Sequence, residues 1–288
     1  MVSIVGSKTL SILVFAAAVA AVLVLMFVGV ISMFQERIAF QPQGPPYPAP
    51  GDALRVDYLA ADGQSLFAYV VGDPGNSVGL LLVFHGNADM AARQTDWAEE
   101  LNHRTGLAVM IAEYRGYAGL SGKPTYAGSQ LDADAAYSFA LDHLHVHGTH
   151  IAFFGHSLGT AIATELATRH RPFALVLQSP FTSARDMARR LTGRRPSTFS
   201  WNLFSRIHFD TIESVRTLGV PVSVAHGEQD RLVPSSMGLQ VFEAARHKGQ
   251  WLLVPGAAHN DVAVRGGETY WQWLAQALSS PATTSTPQ

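Results

Sequence analysis

The sequence predicts an α/β fold, with one mostly parallel central sheet of about eight strands and helices on both faces. Short continuous apolar runs recur along the chain, as in strands that are buried on both faces of a parallel sheet. Segments with helical periodicity lie between several of these runs, and such alternation is typical of α/β proteins. An antiparallel start is predicted by two alternating segments, 54–60 and 66–71, on either side of the turn residues Asp62 and Gly63.

The remaining elements follow in order along the chain. Apolar runs predict strands at 79–84, 107–111, 150–154, 173–177, 220–225 and 250–254. Helical patterns predict helices at 88–104, 127–147, 158–170 and 234–248. Residues 181–215 interrupt this rhythm, so we expect a cap-like insertion there, near the carboxyl edge of the sheet.

Length and composition set the organisation of the chain. Its 288 residues suffice for one large α/β domain, predicted at 51–280, with an appendage. The net charge of −2 gives no indication of a nucleic-acid partner. Because cysteine is absent, disulfides and thiolate chemistry are excluded. The end of the chain, 281–288, is rich in Ser, Thr and Pro and predicts a disordered tail.

The N-terminus carries a long apolar run. No charged residue lies between Lys8 and Glu36, and 10–34 is almost wholly apolar. Because a bilayer core requires about 20 such residues, the sequence predicts a single-pass membrane anchor at 1–36, followed by a proline-rich linker at 37–50. One alternative is a cleaved signal peptide, whose apolar core is usually only about 7–15 residues long. The other is a buried core helix, which would rarely lack polar positions over such a length. The single lysine on the N-terminal flank favours a main domain on the non-cytoplasmic side.

A serine stands between a predicted strand and a predicted helix. Ser157 lies in Gly155-His-Ser-Leu-Gly159, directly before a helical pattern. Flanking glycines allow strand and helix to pack closely, so that the serine hydroxyl is exposed on a tight turn. The alternative is an ordinary glycine-rich packing turn. In this strand–turn–helix context, the pattern predicts a nucleophile.

A serine nucleophile requires a base and an acid that orients the base. His259 follows the last predicted strand, and Asp230 follows the strand before it. Both loops leave the same edge of the sheet as Ser157, where parallel sheets gather their reactive groups. We therefore expect His259 as the base and Asp230 as the acid, with Glu228 and Asp261 as alternative acids.

Hydrolysis at a carbonyl also requires hydrogen-bond donors for the oxyanion. The backbone N–H of Leu158, next to the nucleophile, is the first predicted donor. The second is the backbone N–H of Asn87, because His85-Gly-Asn-Ala88 follows an early strand and Gly86 permits close approach. No cofactor or metal is required. The histidines at 143–150 do not form a metal site by their spacing, since only His143 and His147 share a helical face.

A set of motifs in this chain resembles the α/β-hydrolase superfamily. It is most similar to the membrane-anchored branch, which includes acyl-protein thioesterases and related bacterial esterases. The resemblance covers about 35–280 and implies nucleophile Ser157, acid Asp230 and base His259, with oxyanion donors near Asn87 and Leu158. The sequence departs from that branch at Glu113 and Ala118. The motifs are His85-Gly-Asn-Ala88, Tyr114-Arg-Gly-Tyr117, Gly155-His-Ser-Leu-Gly159, Ser179-Pro-Phe-Thr-Ser183, His226-Gly-Glu-Gln-Asp230 and Gly256-Ala-Ala-His-Asn-Asp261.

The sequence thus predicts a serine hydrolase of carboxylesterase or thioesterase type, which cleaves an ester or thioester through an acyl-enzyme. The expected partner is a small acyl ester or an acylated protein. Two alternatives stay open at this point. One is a serine peptidase of the same fold, and the other is a catalytically silent membrane scaffold.

Overall fold

The computed structural model describes residues 2–44, 51, 53–193 and 197–279. One sheet of eight strands lies at its centre, in the spatial order β1-β2-β4-β3-β5-β6-β7-β8. The strands are β1 (Leu54–Leu59), β2 (Ser65–Val71), β3 (Leu80–Phe84), β4 (Ala108–Ala112), β5 (Ile151–His156), β6 (Leu175–Gln178), β7 (Val222–Gly227) and β8 (Lys248–Val254).

Helices accompany the sheet along the chain. A short 3-10 helix at Ala91–Gln94 precedes α2, and another at Gly148–His150 precedes β5. The α-helices are α1 (Val2–Ala39), α2 (Thr95–Thr105), α3 (Tyr126–Asp142), α4 (Leu158–Arg169), α5 (Ala184–Thr192), α6 (Thr198–Phe204), α7 (Thr211–Thr217), α8 (Ser235–Ala244) and α9 (Val262–Ala277).

The sheet is mixed. Strand β2 runs antiparallel to both β1 and β4, whereas the neighbours from β4 through β8 pair in parallel. The predicted α/β class, the eight strands and the helices on both faces are confirmed. The carboxyl ends of β3, β5, β7 and β8 therefore lie along one edge, and the loops that follow them are neighbours in space.

Alternation of side chains along the strands divides the core into two apolar layers. In β2, Leu66, Ala68 and Val70 belong to one layer, together with residues of α3, α4, α7 and α8. Phe67, Tyr69 and Val71 belong to the other layer, together with residues of α2 and α9. Strand β1 closes the sheet at one edge, and its exposed Arg55 places the guanidinium carbon 4.0 Å from the centre of the Phe67 ring.

The prediction of a membrane-spanning anchor is wrong, and with it the single-pass localisation and its sidedness. Within the ranges that the structure describes, no helix combines the length and the apolarity that crossing a membrane requires. The sequence argument treated 10–34 as one uninterrupted apolar span. The observed α1 continues beyond the predicted boundary at residue 36 and ends at Ala39, where the chain joins the domain.

The end of α1 packs onto the domain. The Phe40 side chain is 2% exposed and lies in the same apolar layer as α3 and α4. Residues 45–50 of the predicted linker, residues 52, 194–196 and 280 of the predicted domain, and the predicted tail lie outside the described residues. The domain boundaries stay predictions.

A buried ion pair holds the segment that follows β4. Asp132, on α3, accepts hydrogen bonds from the backbone N–H (2.9 Å) and from Nε (2.8 Å) of Arg115. The opposite side of the guanidinium binds Asp62, in the turn between β1 and β2, at 2.7 Å. Only 2% of the Asp132 side chain is exposed, compared with 40% for Asp62. Two carboxylates of very different burial thus share one arginine.

We expect Asp132→Ala to lower the free energy of unfolding by about 3 kcal/mol, because it leaves a buried guanidinium and a backbone N–H without their acceptor. Asp62→Ala, the matched control, should have a much smaller effect, since solvent screens its charge. Urea unfolding of both variants measures this difference. Equal losses in the two variants would contradict the assignment of the buried contact as the stabilising one.

Candidate active site

Ser157 occupies a strained turn between β5 and α4. Its backbone has φ 51° and ψ −113°, in the region of positive φ that costs a non-glycine residue about 1–3 kcal/mol. The two flanking glycines explain how the turn is held. A Cβ on Gly159 would overlap the carbonyl oxygen of Phe84 at the end of β3, and one on Gly155 would overlap the backbone of Gly159. This close packing of α4 against the sheet keeps Ser157 at the carboxyl edge.

The structure brings the three residues predicted for catalysis together. His259 Nε2 lies 2.8 Å from the Ser157 Oγ, and His259 Nδ1 lies 2.6 Å from Asp230 Oδ2. Because an ionised carboxylate can only accept, Nδ1 carries the ring proton, and Nε2 of the neutral ring is left to accept from the serine hydroxyl. All three residues are at least nine-tenths buried. The chain of hydrogen bonds can therefore withdraw a proton from Ser157.

Asp230 is held as an anion by several donors. Burial alone would raise the pKa of this carboxyl, but hydrogen bonds from His226 and then His259 lower it, and the net result is a pKa well below the ordinary value. The backbone N–H groups of Leu232 and Val233 donate to Oδ1 at 2.9 and 2.8 Å. The alternative acids, Glu228 and Asp261, instead accept from the backbone N–H of Gly256 and of Ala258.

Two further histidines support this arrangement, and the sequence argument did not assign them a role. His226 Nε2 lies 3.2 Å from Asp230 Oδ2 and 2.9 Å from the Val233 carbonyl. His156 Nε2 lies 3.3 Å from the backbone carbonyl of His259. Burial, followed by the nearby His259, lowers the pKa of His156 to about 4, so this ring is neutral near pH 7. The signals in the sequence were the place of His226 four residues before Asp230 and that of His156 beside Ser157.

The loop after β3 lies against the serine. A Cβ built on Gly86 would lie 3.4 Å from the Ser157 Cβ and 2.8 Å from His156 Nδ1, so only glycine allows this approach. Asn87 follows in the same loop. Leu158 is the first residue of α4, and N–H groups in a first helical turn have no partner within the helix. The two predicted oxyanion donors therefore belong to segments that meet at Ser157.

A buried pair of side chains lies beneath that loop. His85 Nε2 is 2.8 Å from Glu113 Oε1, and His85 Nδ1 is 2.9 Å from the Gly86 carbonyl. Both partners are acceptors, because Glu113 also receives the backbone N–H groups of Ala91 and Tyr114. Burial lowers the pKa of His85, but Glu113 outweighs it and the net shift is upward. His85 thus bridges Glu113 and the Gly86 carbonyl and holds that carbonyl in place.

Nothing in the geometry of the described ranges suggests a bound metal, since no three His, Asp or Glu side chains converge there as ligands would. The expectation that no cofactor is needed stays a prediction.

An eight-stranded sheet of this order, with a serine on a tight strand-to-helix turn, defines an α/β hydrolase. The family model described as serine aminopeptidase, S33 matches residues 75–207. An uncharacterized protein of Mycobacterium tuberculosis is 32% identical over 92% of this chain and 95% of its own length. Alpha/beta hydrolase domain-containing protein 17B of Xenopus laevis is 32% identical over 69% of this chain and 67% of its own length. The chain belongs to the α/β-hydrolase superfamily.

A solved structure agrees with this assignment at the level of the fold. The Pyrococcus furiosus esterase Pf2001 matches with a TM-score of 0.65 and 19% identity, over 83% of this chain and 98% of its own. These findings place the chain among hydrolases of the α/β fold.

We expect Asp230→Asn to destabilise the protein most at and above pH 5. A carboxyl whose pKa is lowered on folding contributes stability above its unfolded pKa, near 3.9, and loses it as the pH falls toward the folded pKa. The difference in unfolding free energy between wild type and Asp230→Asn should therefore shrink between pH 5 and pH 3. Urea unfolding across this range measures it, with Ser157→Ala as a control that keeps Asp230. A difference that stays constant over the range would contradict the assignment.

Proposed function

We propose that this protein is a serine hydrolase that cleaves a carboxylic ester or thioester through an acyl-enzyme. The observation that carries the proposal is the unbroken hydrogen-bonded chain from Ser157 Oγ through His259 to Asp230. A hydroxyl within 2.8 Å of an unprotonated imidazole nitrogen has an acceptor for the proton that it must lose on attack. Asp230 keeps that nitrogen unprotonated by holding the proton on the other side of the ring.

The proposed reaction has two halves. In the first, His259 takes the proton of Ser157 while Oγ attacks the carbonyl carbon, and the proton then passes to the departing alcohol or thiol as its bond to that carbon breaks. In the second, water attacks the acyl-serine, His259 accepts a proton from the water, and the acid leaves as Oγ is protonated again. Asp230 stays ionised and balances the imidazolium that forms in each half.

Charge that develops on the carbonyl oxygen requires donors in fixed positions. We assign the backbone N–H groups of Leu158 and Asn87 to this role. The loss of one such donor typically slows the chemical step by about 10²–10³-fold. The tight approach of Gly86 to Ser157 supports this assignment, because it brings the loop with Asn87 alongside the nucleophile.

The proposed substrate carries an acyl chain, as a small ester or an acylated protein. Two leucines near Asp230 in the chain or in space are largely exposed. Leu232, in the loop after β7 that carries Asp230, is 51% exposed, and Leu191, on α5, is 64% exposed. Arg190 holds α5 next to that loop, since its guanidinium donates to the carbonyls of Arg231 and Leu232 at 2.6 and 3.1 Å. This exposed apolar surface beside Asp230 favours an apolar acyl group over a charged one.

A second candidate is a serine peptidase of the same fold, which the description of the matching family model favours. A peptidase that removes N-terminal residues has to bind an ammonium group, and a carboxylate is the usual partner of such a cation. Asp89 is a carboxylate in the loop after β3, two residues beyond Asn87, and its Oδ2 already accepts a 2.6 Å hydrogen bond from Gln94. Because a carboxylate has about four acceptor positions, this hydrogen bond leaves room for an ammonium group, and the substrate comparison below separates the two candidates.

We expect Ser157→Ala to abolish labelling by a fluorophosphonate and to lower kcat on p-nitrophenyl butyrate by about 10⁴-fold or more, because the attacking oxygen is lost. Gel fluorescence after labelling and steady-state kinetics measure both effects. Ser236→Ala, at an exposed serine of α8, is the matched control and should behave as the wild type.

The outcomes of that experiment also separate the candidates. Folded wild-type protein that is neither labelled nor active would exclude the proposal in favour of a silent scaffold. Labelled protein that hydrolyses aminoacyl p-nitroanilides faster than p-nitrophenyl esters or acyl thioesters would identify a peptidase.

We expect Leu232→Asp to lower kcat/KM on p-nitrophenyl decanoate at least about 5-fold and on p-nitrophenyl acetate less than about 2-fold. Burial of each methylene contributes about 0.8 kcal/mol, so only the longer chain loses apolar contact at this position. Rates over a series of chain lengths measure the effect, with Leu253→Asp, on the edge strand β8, as the control. A loss that is equal for both esters would show that Leu232 does not contact the acyl chain.

A further inference from the structure

The junction between α1 and the domain is held by two carboxamide side chains of the same hydrogen-bonding pattern. Gln35, in the last turns of α1, donates Nε2–H to the Phe204 carbonyl at 3.0 Å and accepts from the Arg206 N–H at 2.9 Å. Asn87, in the oxyanion loop, donates Nδ2–H to the Ala39 carbonyl at 2.8 Å and accepts from the Gln41 N–H at 2.7 Å. In each case one amide bridges the carbonyl of one residue and the N–H two positions later.

The second of these carboxamides belongs to the residue whose backbone N–H we assign to the oxyanion. The side chain of Asn87 therefore binds the segment Ala39–Gln41, while Gly86, the residue before it, approaches Ser157. Tyr117 donates a third hydrogen bond, from its hydroxyl to Asn87 Oδ1, at 2.7 Å. Between the two bridged residues, the buried Phe40 side chain anchors the segment in the core.

The peptide unit that carries the Asn87 N–H is also fixed from its other end. Its carbonyl belongs to Gly86 and lies 2.9 Å from His85 Nδ1. The C=O and the N–H of a trans peptide unit point in opposite directions. A donor that holds the carbonyl consequently sets the direction of the N–H. His85 restrains this unit on one side, and the side chain of Asn87 restrains the residue on the other.

We propose that the Asn87 side chain is a positioning group for the reaction: its hydrogen bonds to Ala39–Gln41 fix the position of the Asn87 backbone N–H. The C-terminal end of α1 thereby contributes to the oxyanion site. The inference rests on the proposed hydrolase function and extends it to a segment remote from Ser157 in the sequence. It gives the end of α1 a role in the rate of the chemical step.

A residue that only stabilised the fold would lower the melting temperature and leave kcat unchanged in the folded fraction. A positioning residue lowers kcat with little change in KM, because it acts on an interaction that is made only in the transition state. The split between kcat and KM, in protein shown to be folded, therefore tests the proposal directly.

The experiment compares Asn87→Ala, which keeps the backbone N–H, with Asn76→Ala, which removes the same carboxamide at an exposed position between β2 and β3. On p-nitrophenyl butyrate we expect Asn87→Ala to lower kcat about 10- to 100-fold, up to the loss expected for a missing oxyanion donor, and to change KM less than about 3-fold. Asn76→Ala should keep kcat within about 3-fold of the wild type. Circular dichroism and the melting temperature establish that each variant is folded.

A second pair of variants tests the hydrogen bond between the Gln41 N–H and Asn87 Oδ1 by changing Gln41 and leaving Asn87 in place. Gln41→Pro removes the N–H that Asn87 Oδ1 accepts, whereas Gln41→Ala keeps it. We expect Gln41→Pro to lower kcat at least about 5-fold, Gln41→Ala to match the wild type, and the double variant Asn87→Ala with Gln41→Pro to lose little more than Asn87→Ala alone, since both changes break one link.

The results distinguish this inference from the proposed function. If Asn87→Ala is folded and keeps wild-type kcat while Ser157→Ala is inactive, the positioning role is overturned and the hydrolase assignment stands. The same holds if the two changes at positions 41 and 87 multiply in their effects on kcat. If Ser157→Ala keeps the activity of the wild type, the proposed function itself fails.

Discussion

The strained turn at Ser157 is the constraint on which the rest of the site depends. A positive φ at a serine persists only where the surrounding structure compensates for its cost. Here the compensation comes from α4, which packs so closely on the ends of β3 and β5 that Gly155 and Gly159 have no room for a side chain. The same close packing brings the loop after β3 against the serine. The helix packing that stabilises the turn thus also places the residues that surround the Ser157 hydroxyl.

The pKa values of two histidines near this turn shift in opposite directions because their surroundings differ. His85 faces a carboxylate and a carbonyl, and the net shift of its pKa is upward. His156 is buried beside another histidine, and its pKa falls to about 4. The first ring therefore bridges Glu113 and the Gly86 carbonyl, and the second, neutral near pH 7, donates to the backbone carbonyl of His259.

Much of this arrangement could be predicted from the chain alone. Loops that follow neighbouring parallel strands must share an edge, and so Ser157, Asp230 and His259 could be expected to meet before any distance was known. The predicted helix at 127–147 was too long, because α3 ends at Asp142 and His145 has a φ of 53°. Ala118, where the similar branch has glycine, also adopts a positive φ, of 48°.

Other features could not be predicted from local patterns. The contacts of Asn87 with Ala39 and of Arg115 with Asp132 join residues that are far apart in the chain, and periodicity contains no information about such pairs. The predicted anchor failed for a related reason. Hydropathy along a sequence counts apolar residues but does not show where a helix ends or what the next residues contact. Here α1 ends at Ala39, and the residue after it, Phe40, is buried in the core.

The charged outer strand has a consequence for the behaviour of the protein in concentrated solution. Among the described residues, strand β1 is the last strand on its side of the sheet, and the backbone of such a strand could pair with an identical strand of another molecule. Arg55 and Asp57 form an ion pair on one face of that strand, with Arg55 across the ring of Phe67. If β1 of a second molecule paired there, the Arg55 and Asp57 side chains of the two molecules would have to fit next to one another. The terminal strand thus discourages growth of the sheet from one molecule into the next.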